Sequence, residues 1–596
     1  MRFTFHRNKS QLILAVGYSF LAVLLYLSLE STFHYSLDSD SVEMAVLFNQ
    51  IQIHGLSFLE TYHTPPDNYF FSAFPLSYIW FSIFGVTPTT IITVGWIFFL
   101  FIILLSALIV KKVAANNYAA LATALILAST SWHDLLKDPG YFAYTVCHNS
   151  AWVMGLFGFF MYISYINNRK KELYRYLFLF AVVLGTISDP WFDAAFTLPI
   201  VIGIWLTYRH NYLNRQYMRK DIVSLVLAYS IGRLIYLLIE IVGVFPSRSS
   251  HISFSNISKH YYYLSHDVAA IFSVGILPAL SIPALFVLLS IAFLISGDGH
   301  NYRKASTLAY TSNDIAKSLL LNFSWLSIIG IATAMLVNVY TNSFVSARFT
   351  INIYDLTIIV LVISITSIRK PMATYILAVP VFSFLCFLLL SGINQNYDFV
   401  FSNNKYSDNK YSDVWPKNLE RIVDHAKQNR WGVGYAPYMG GIESNIAQAM
   451  PTYASSPLYP ISVSDHNLIV PLGVQISNVW FSRVAYHGSV PQKAYLLIPN
   501  GQIYTKKMIA SASNLGGHRV IIYDGFTVLL YNHTIYHKMV TNHVYGEIES
   551  CQGNLAKNIA GIKKYARQYG VSDLAILHLY AWLINVDRPC HFPHVA

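Results

Sequence analysis

Eleven apolar runs, most of them close to the length that crosses a bilayer, set the terms on which this chain can fold. A helix spanning the hydrocarbon core takes about 20 residues. The runs fall near residues 11–29, 90–110, 118–132, 150–167, 175–188, 192–208, 221–244, 272–295, 318–340, 350–368 and 372–391. Inside a bilayer each backbone N–H and C=O must find its partner within the segment, so these runs are expected to be helices. Composition agrees: 55% of the 596 residues are hydrophobic and 12% are charged, with a mean hydropathy of +0.44, too apolar for an ordinary soluble enzyme. The net charge of +11 does not signal nucleic acid, because Lys and Arg fall in short clusters between the runs. The first run follows a basic Met1–Lys9 segment but is longer than a signal-peptide core and has no small-x-small cleavage site, so it reads as a retained signal anchor.

Charge orients the bundle. With the N-terminus inside, the cytoplasmic segments carry eighteen Lys and Arg, from Arg2, Arg7 and Lys9 to Arg369 and Lys370. The opposite loops as far as residue 391 carry four, Lys137, Arg248, Lys259 and Arg348. That asymmetry puts the N-terminus in and the C-terminus out. The expected fold is a polytopic α-helical membrane protein with about eleven transmembrane helices over residues 1–391, interface helices in its first outward loop, and an extracytoplasmic α/β domain over residues 392–596.

The first outward loop is more than a connector. Ser41 to Ile53 reads as an amphipathic helix suited to the membrane surface, Thr64-Pro-Pro-Asp67 breaks the chain, and Phe71 to Phe84 is apolar but short, an interface segment tucked against the bundle. After Ser391, Asp413 to Arg430 is helical in pattern and short apolar runs at Val433–Pro437, Ala494–Pro499, Arg519–Asp524 and Thr527–Asn532 read as strands, with Asp524-Gly525 as a hairpin turn. A helical hairpin, Asn554 to Arg567 and Ser572 to Asn585, follows. Cys551 and Cys590 bracket it; a disulfide between them suits an oxidising compartment, the alternative being two unrelated thiols. The chain has no internal repeat, Walker loop, GxGxxG or zinc-finger spacing.

One polar stretch stands out at the end of the first run. Tyr35-Ser-Leu-Asp-Ser-Asp-Ser-Val-Glu-Met-Ala45 holds Asp38, Asp40 and Glu43, and no Lys or Arg occurs between Ser10 and Lys111. Such a cluster is either a helix cap or a site for chemistry. Asp40-x-x-Glu43 has the spacing of a capping box, worth roughly 1 kcal/mol to the helix, and a cap would also hold a reactive carboxylate in place.

The succession of a first span, an acidic motif, an interface helix, a Pro-Pro break, the segment Phe74-Pro-Leu-Ser-Tyr-Ile-Trp-Phe-Ser-Ile-Phe-Gly85 and a second span resembles the GT-C glycosyltransferases. These include protein O-mannosyltransferases and the aminoarabinose transferase of lipid A, which use polyprenyl-phosphate sugars. Asp40-Ser-Val-Glu-Met-Ala45 is similar to the family's Asp-Glu-x-x-Tyr-Ala motif, and Arg348-Phe349 to the Arg-Tyr before one of its late helices. Ser41 replaces the second acid of the motif, and only Pro75 remains of the second proline pair. The resemblance implies a polyprenyl-phosphate sugar donor, a glycan, lipid or protein acceptor, inversion at the sugar, and residence in a bacterial inner (plasma) membrane. It names no certain cofactor, and the divalent metal that some members need is left without a clear counterpart.

Sugar transfer to a hydroxyl needs a positioned base, for which Asp40 is the candidate, with Glu43 as partner or cap. The leaving phosphate is a stable anion that needs positive charge rather than a general acid, and Arg348 is the candidate, ahead of Lys137 and Lys259. The second outward loop gathers His133, Asp134, Asp138 and His148, a polar cap on two helices or a metal site, with the cap preferred. Asp138 and His148 are carried forward as substrate-binding candidates, with Asp189 of Ser188-Asp-Pro-Trp-Phe-Asp193 as a cap that also lines the cavity. Arg233 and Glu240, seven apart in the seventh run, read as a buried ion pair or interior polar contacts, and Tyr261-Tyr-Tyr263 as an interfacial anchor. A transporter or flippase of a lipid-linked sugar and a non-catalytic member of the fold are the alternative classes. Against the transporter stands the lack of interrupted helices in two matching halves.

Overall fold

The computed structural model describes residues 2–33, 41–60, 62–63, 69–130, 148–209, 215–241, 257–272, 281–295, 312–337, 351–366, 372–401, 417–437, 444–450, 458–471 and 493–539, apart from a few positions within these ranges, together with Leu37, Ile476, Ser477 and Asn542. In chain order the elements begin with α1 (Arg2–Thr32), α2 (Glu43–His54), β1 (Tyr62–His63), α3 (Phe74–Phe84), α4 (Pro88–Ala114), α5 (Asn117–Ser129), α6 (Asn149–Asn167) and α7 (Glu172–Ser188). There follow α8 (Leu198–Tyr208), α9 (Arg215–Ile241), α10 (Ile257–Ile271), α11 (Ser281–Ile295), α12 (Ser312–Val337), α13 (Ile351–Thr366) and α14 (Met372–Phe401). Each of the eleven apolar runs carries a helix, and the chain is an integral membrane protein. Five of the described helices, Gln11–Thr32, Pro88–Ala114, Asn149–Asn167, Gln216–Ile239 and Ser312–Leu336, are long and apolar enough by themselves to cross a bilayer.

Local chemistry sets the helix ends. Thr87 caps α4 in a reciprocal box with Thr90, the Thr90 N–H donating to Thr87 Oγ1 at 3.1 Å and the Thr87 N–H to Thr90 Oγ1 at 2.8 Å, with Pro88 in the first turn. Lys111 and Lys112 occupy its last turn, where cations complement the helix dipole. Asn116 starts α5 by accepting the Tyr118 N–H at 2.8 Å. The last helix, α14, runs past Ser391 to Phe401, so the shift to polar composition begins inside a helix rather than at its end.

The structure corrects the reading of α2. Amphipathic patterning suggested a helix lying on the membrane surface, yet Glu43 through Ile51 are all buried, the polar Asn49 and Gln50 included. The burial comes from two sides: α3 packs on one, and the C-terminal part of the chain covers another. Helix α3 starts with Pro75 in its first turn, stops at Gly85 (φ +75°), buries Phe74, Ser77 and Phe81, and leaves Ile79 and Ile83 exposed. That one-sided burial suits a helix tucked against the bundle.

Beyond the bundle come α15 (Lys417–Gln428), β2 (Val433–Pro437), α16 (Ser444–Ala449), β3 (Tyr459–Val463), β4 (Ile469–Pro471), β5 (Ile476–Ser477), β6 (Ala494–Pro499), α17 (Ile503–Ala512), β7 (Arg519–Tyr523) and β8 (Phe526–Tyr531). Six strands form one sheet in the order β4-β3-β2-β6-β8-β7, in which β2 pairs parallel with β3 and β6 and the other pairs are antiparallel. Tyr523 faces Phe526 across β7 and β8, so the connection is Asp524-Gly525, with Gly525 at φ +82°. Sequence patterning anticipated β2, β6, β7 and β8 but not β3, β4 and β5. The helical hairpin expected at 554–585 and both Cys551 and Cys590 lie outside the described residues.

The sheet part docks on the connection between α1 and α4. β1 and β5 pair antiparallel, Tyr62 opposite Ser477 and His63 opposite Ile476. Asn49 Nδ2 donates to the Ala449 carbonyl at 2.8 Å and to that of Gln448 at 3.4 Å, tying α2 to α16. Asn49→Leu should strip both carbonyls of a buried donor at a cost of about 1–3 kcal/mol. The expected result is faster amide exchange across residues 43–54 and 444–449, with exchange in α4 unchanged. Equal exchange in both proteins would show that the contact does not hold the two parts together.

Candidate functional site

The best-defined polar cluster stands where the connection between α1 and α4 meets the start of α6 and the end of α7. Helix α7 stops because Pro190 follows: Asp189 is pushed into extended backbone (φ −151°, ψ 117°), its N–H still bonded to the Gly185 carbonyl at 3.0 Å. Its side chain turns back on the chain, Oδ1 accepting the Trp191 N–H at 2.8 Å. The second oxygen, Oδ2, lies 2.5 Å from Nδ1 of His148, which sits just before α6. Both side chains are buried, at 3% exposure for His148 and 0% for Asp189. Two candidates 41 residues apart in sequence are thus one hydrogen-bonded unit, in which the carboxylate fixes the imidazole's orientation.

Aromatic rings close around it. Trp191 stands 5.5 Å from the His148 ring, and Tyr69 lies edge-on at 6.3 Å. Tyr69 occupies the left-handed region (φ +45°), uncommon for a residue with a side chain, and its carbonyl accepts the N–H groups of Ser72, Ala73 and Phe74 at 3.2, 2.7 and 3.3 Å. This turn leads into α3. One step further on, the hydroxyls of Ser72 and Ser150 meet at 2.9 Å, both buried. The loop that follows the acidic stretch is therefore bonded directly to the helix that carries His148.

Glu43 is the described member of the acidic stretch. It is 1% exposed and is the first residue of α2, with Val42 in the cap position and no side-chain cap bond. Val42 precedes the helix, and Asp40, at which a capping box would begin, lies outside the described residues. Tyr62 Oη donates to Glu43 Oε1 at 3.4 Å. Burial first, and then the Glu43 carboxylate, push the Tyr62 phenol well above its usual value of 10.0. The folded state thus favours the neutral phenol. Its stabilising contribution is complete below about pH 10 and is lost as the pH climbs through the raised folded value. In a phenolate absorbance titration the native protein and Tyr62→Phe should match while the exposed tyrosines ionise and differ by one tyrosine only at higher pH; a difference already present among the early-ionising tyrosines would contradict this environment.

Asp38, Asp40, His133, Asp134, Lys137, Asp138 and Arg348 lie outside the described residues. Among the described residues no group of three or more His, Cys, Asp and Glu side chains is placed to hold a metal ion.

Three carboxylates that sequence reasoning passed over are engaged within the bundle. Asp355, in α13, is 2% exposed and accepts from Ser106 Oγ of α4 at 2.8 Å and from Trp152 Nε1 of α6 at 2.9 Å. Trp152 is one turn from His148, its N–H donating to the His148 carbonyl at 2.7 Å, so one face of α6 joins Asp355 to the His148–Asp189 pair. A lone acid inside the apolar run 350–368 was the available signal. Asp221 accepts from Tyr162 Oη at 2.8 Å and Arg169 Nη1 at 2.9 Å at the opposite end of the bundle. Asp193 opens a π-helical segment, Asp193–Thr197, and takes the guanidinium of Arg233. Arg233 is therefore paired to Asp193, and the side chain of Glu240 lies outside the described residues. Spacing within one helix did not point to Asp193, because that partner comes from the neighbouring element. Tyr261, Tyr262 and Tyr263 sit on α10, where Tyr262 is 59% exposed.

No protein-family model matches the sequence, and no curated protein matches it at a significant level. Among solved structures, the chain is similar to ArnT from Cupriavidus metallidurans bound to undecaprenyl phosphate, at a TM-score of 0.48 and 10% identity over 87% of this chain and 98% of that one. It is also similar to the apo state of ArnT from Cupriavidus metallidurans, at a TM-score of 0.40 and 11% identity over 88% and 98% of the two chains.

Proposed function

We propose that this chain is a membrane glycosyltransferase that moves a sugar from a polyprenyl-phosphate donor to a hydroxyl of an envelope glycan, lipid or protein at the outer face of the membrane, with inversion. The observation that carries the reading is the joining of the first outward loop to the His148–Asp189 pair through Tyr69 and through Ser72 and Ser150. That contact brings the loop bearing the acidic stretch against a buried, oriented imidazole at the ends of two helices, where a lipid-borne substrate can arrive from the bilayer.

In this mechanism Asp40 takes the proton from the acceptor hydroxyl as the oxygen attacks the anomeric carbon. The bond to the phosphate breaks on the opposite face, which inverts the sugar, and the phosphate departs as a stable anion needing no general acid. Arg348 neutralises the charge that gathers on it. Glu43 and Asp138 bind sugar hydroxyls, and His148, held by Asp189, presents a fixed polar edge to the sugar. Helix α2, clamped between α3 and the sheet part, gives the acidic stretch a rigid footing, which is the role proposed for residues 392–596.

Deleting the gene and comparing surface glycolipids, polysaccharide and glycoproteins by mass spectrometry tests the reading in the cell. One sugar should be missing from one class of envelope molecule. An unchanged glycan profile together with lost uptake of a solute would point to a transporter instead.

A further inference from the structure

The geometry points to Arg233 as a docking group for a lipid-borne phosphate at the bilayer-facing side of α9, a role that rests on the membrane placement of the bundle and deepens the proposed reaction by naming a contact for its carrier lipid. Three observations carry it. The first is depth. Gly232 packs where α9 passes α7, so closely that a Cβ there would stand 3.0 Å from Thr186 Cβ and 3.1 Å from the Val183 carbonyl. Thr186 is within one turn of the outer end of α7, and Asp193, which holds Arg233, is four residues past Asp189. Arg233 therefore lies about one helical turn below the outward turn, near the level of lipid headgroups.

The second observation is the surface. Ile231, Leu234, Leu237 and Leu238 are 51%, 57%, 50% and 52% exposed, the profile of a helix that faces hydrocarbon. Among them the Arg233 side chain keeps 33% of its surface open.

The third is an incomplete set of hydrogen bonds. A guanidinium carries five N–H donors. Nη2 donates to Asp193 and Nε donates to Tyr229 Oη at 3.2 Å, while the rings of Tyr229 and Tyr236 flank the cation at 5.7 and 5.9 Å. Among the described residues no acceptor serves Nη1. Charged donors left open on a hydrocarbon-facing surface are costly, and a phosphate oxygen of a lipid satisfies them with charge-assisted bonds. Asp193 then acts as the back stop that turns the open edge of the guanidinium towards the bilayer. A purely structural Arg–Asp tie between α9 and the start of α8 has no need of that exposed edge.

The test uses the full chain in nanodiscs of phosphatidylcholine, with bound lipid read by native mass spectrometry. Two probes are titrated separately, a sugar-free polyprenyl phosphate and phosphatidylglycerol. Arg233→Gln should lower polyprenyl-phosphate occupancy about tenfold, and Arg233→Lys should recover part of it as a point charge. The double variant Arg233→Gln/Asp193→Asn removes both charges, so it keeps the fold without an unpaired acid and should show the same loss of binding. A parallel fall for phosphatidylglycerol would define a site for lipid phosphates in general, and a fall for the polyprenyl phosphate alone one that reads the carrier. Wild-type occupancy of both probes in the single and double variants would overturn the proposal. A wild-type chain that binds polyprenyl phosphate yet transfers no sugar would contradict the proposed reaction and leave this site standing.

Discussion

Asp40→Asn should lower sugar transfer by about 10²–10⁴-fold, the range over which removal of a general base acts. Asn keeps the size and polarity of the side chain and cannot take the acceptor's proton at neutral pH. The competing account of the residue is a helix cap, worth roughly 1 kcal/mol, so thermal stability should change by no more than about 1 kcal/mol while activity collapses. Transfer assayed in liposomes beside thermal unfolding separates the two. Full activity in Asp40→Asn would remove the assignment, and an unfolded variant would return the residue to a structural role.

Asp189→Ala is expected to act on both stability and activity. It strips His148 of its partner and the Trp191 N–H of its acceptor in a site with almost no access to water, a loss of about 3–5 kcal/mol for a broken buried pair. Asp189→Asn should be milder in stability yet still impaired in transfer, because its one oxygen replaces two that serve separate donors at 2.5 and 2.8 Å. Combining His148→Ala with Asp189→Ala should cost clearly less than the sum of the two, by about 1 kcal/mol or more. Strict additivity would mean that the two side chains do not work as a unit.

The bundle was legible because its cause is local. A run of apolar residues of bilayer length has one way to satisfy its backbone, and helices stand on all eleven runs. What the sequence could not convey was which surfaces meet. Helix α2 has the pattern of a membrane-surface helix, but Asn49 donates to carbonyls 400 residues away, and that contact turns a polar position into a buried one. The partner of Arg233 was out of reach for the same reason: Asp193 is near it in space and 40 residues away in sequence. His148 and Asp189 were each visible as polar residues at the ends of apolar runs, but their bond depends on α6 and α7 packing side by side. Asp355 was hidden in plain view, an acid within a run whose apolar neighbours set its reading as a span. Strands β1, β4 and β5 have two, three and two residues, too little for a period of two to emerge, and β3 carries Pro460, which speaks against a strand.

The central claim is that the lipid-linked sugar is consumed by transfer at the membrane surface. The direct measurement places the purified full chain in liposomes with a polyprenyl-phosphate sugar and an envelope extract as acceptor, and follows the lipid by mass spectrometry. The account predicts sugar-free polyprenyl phosphate appearing in step with glycosylated acceptor, with neither product formed by Asp40→Asn. Donor that stays intact, or crosses to the other leaflet with its sugar still attached, would contradict it.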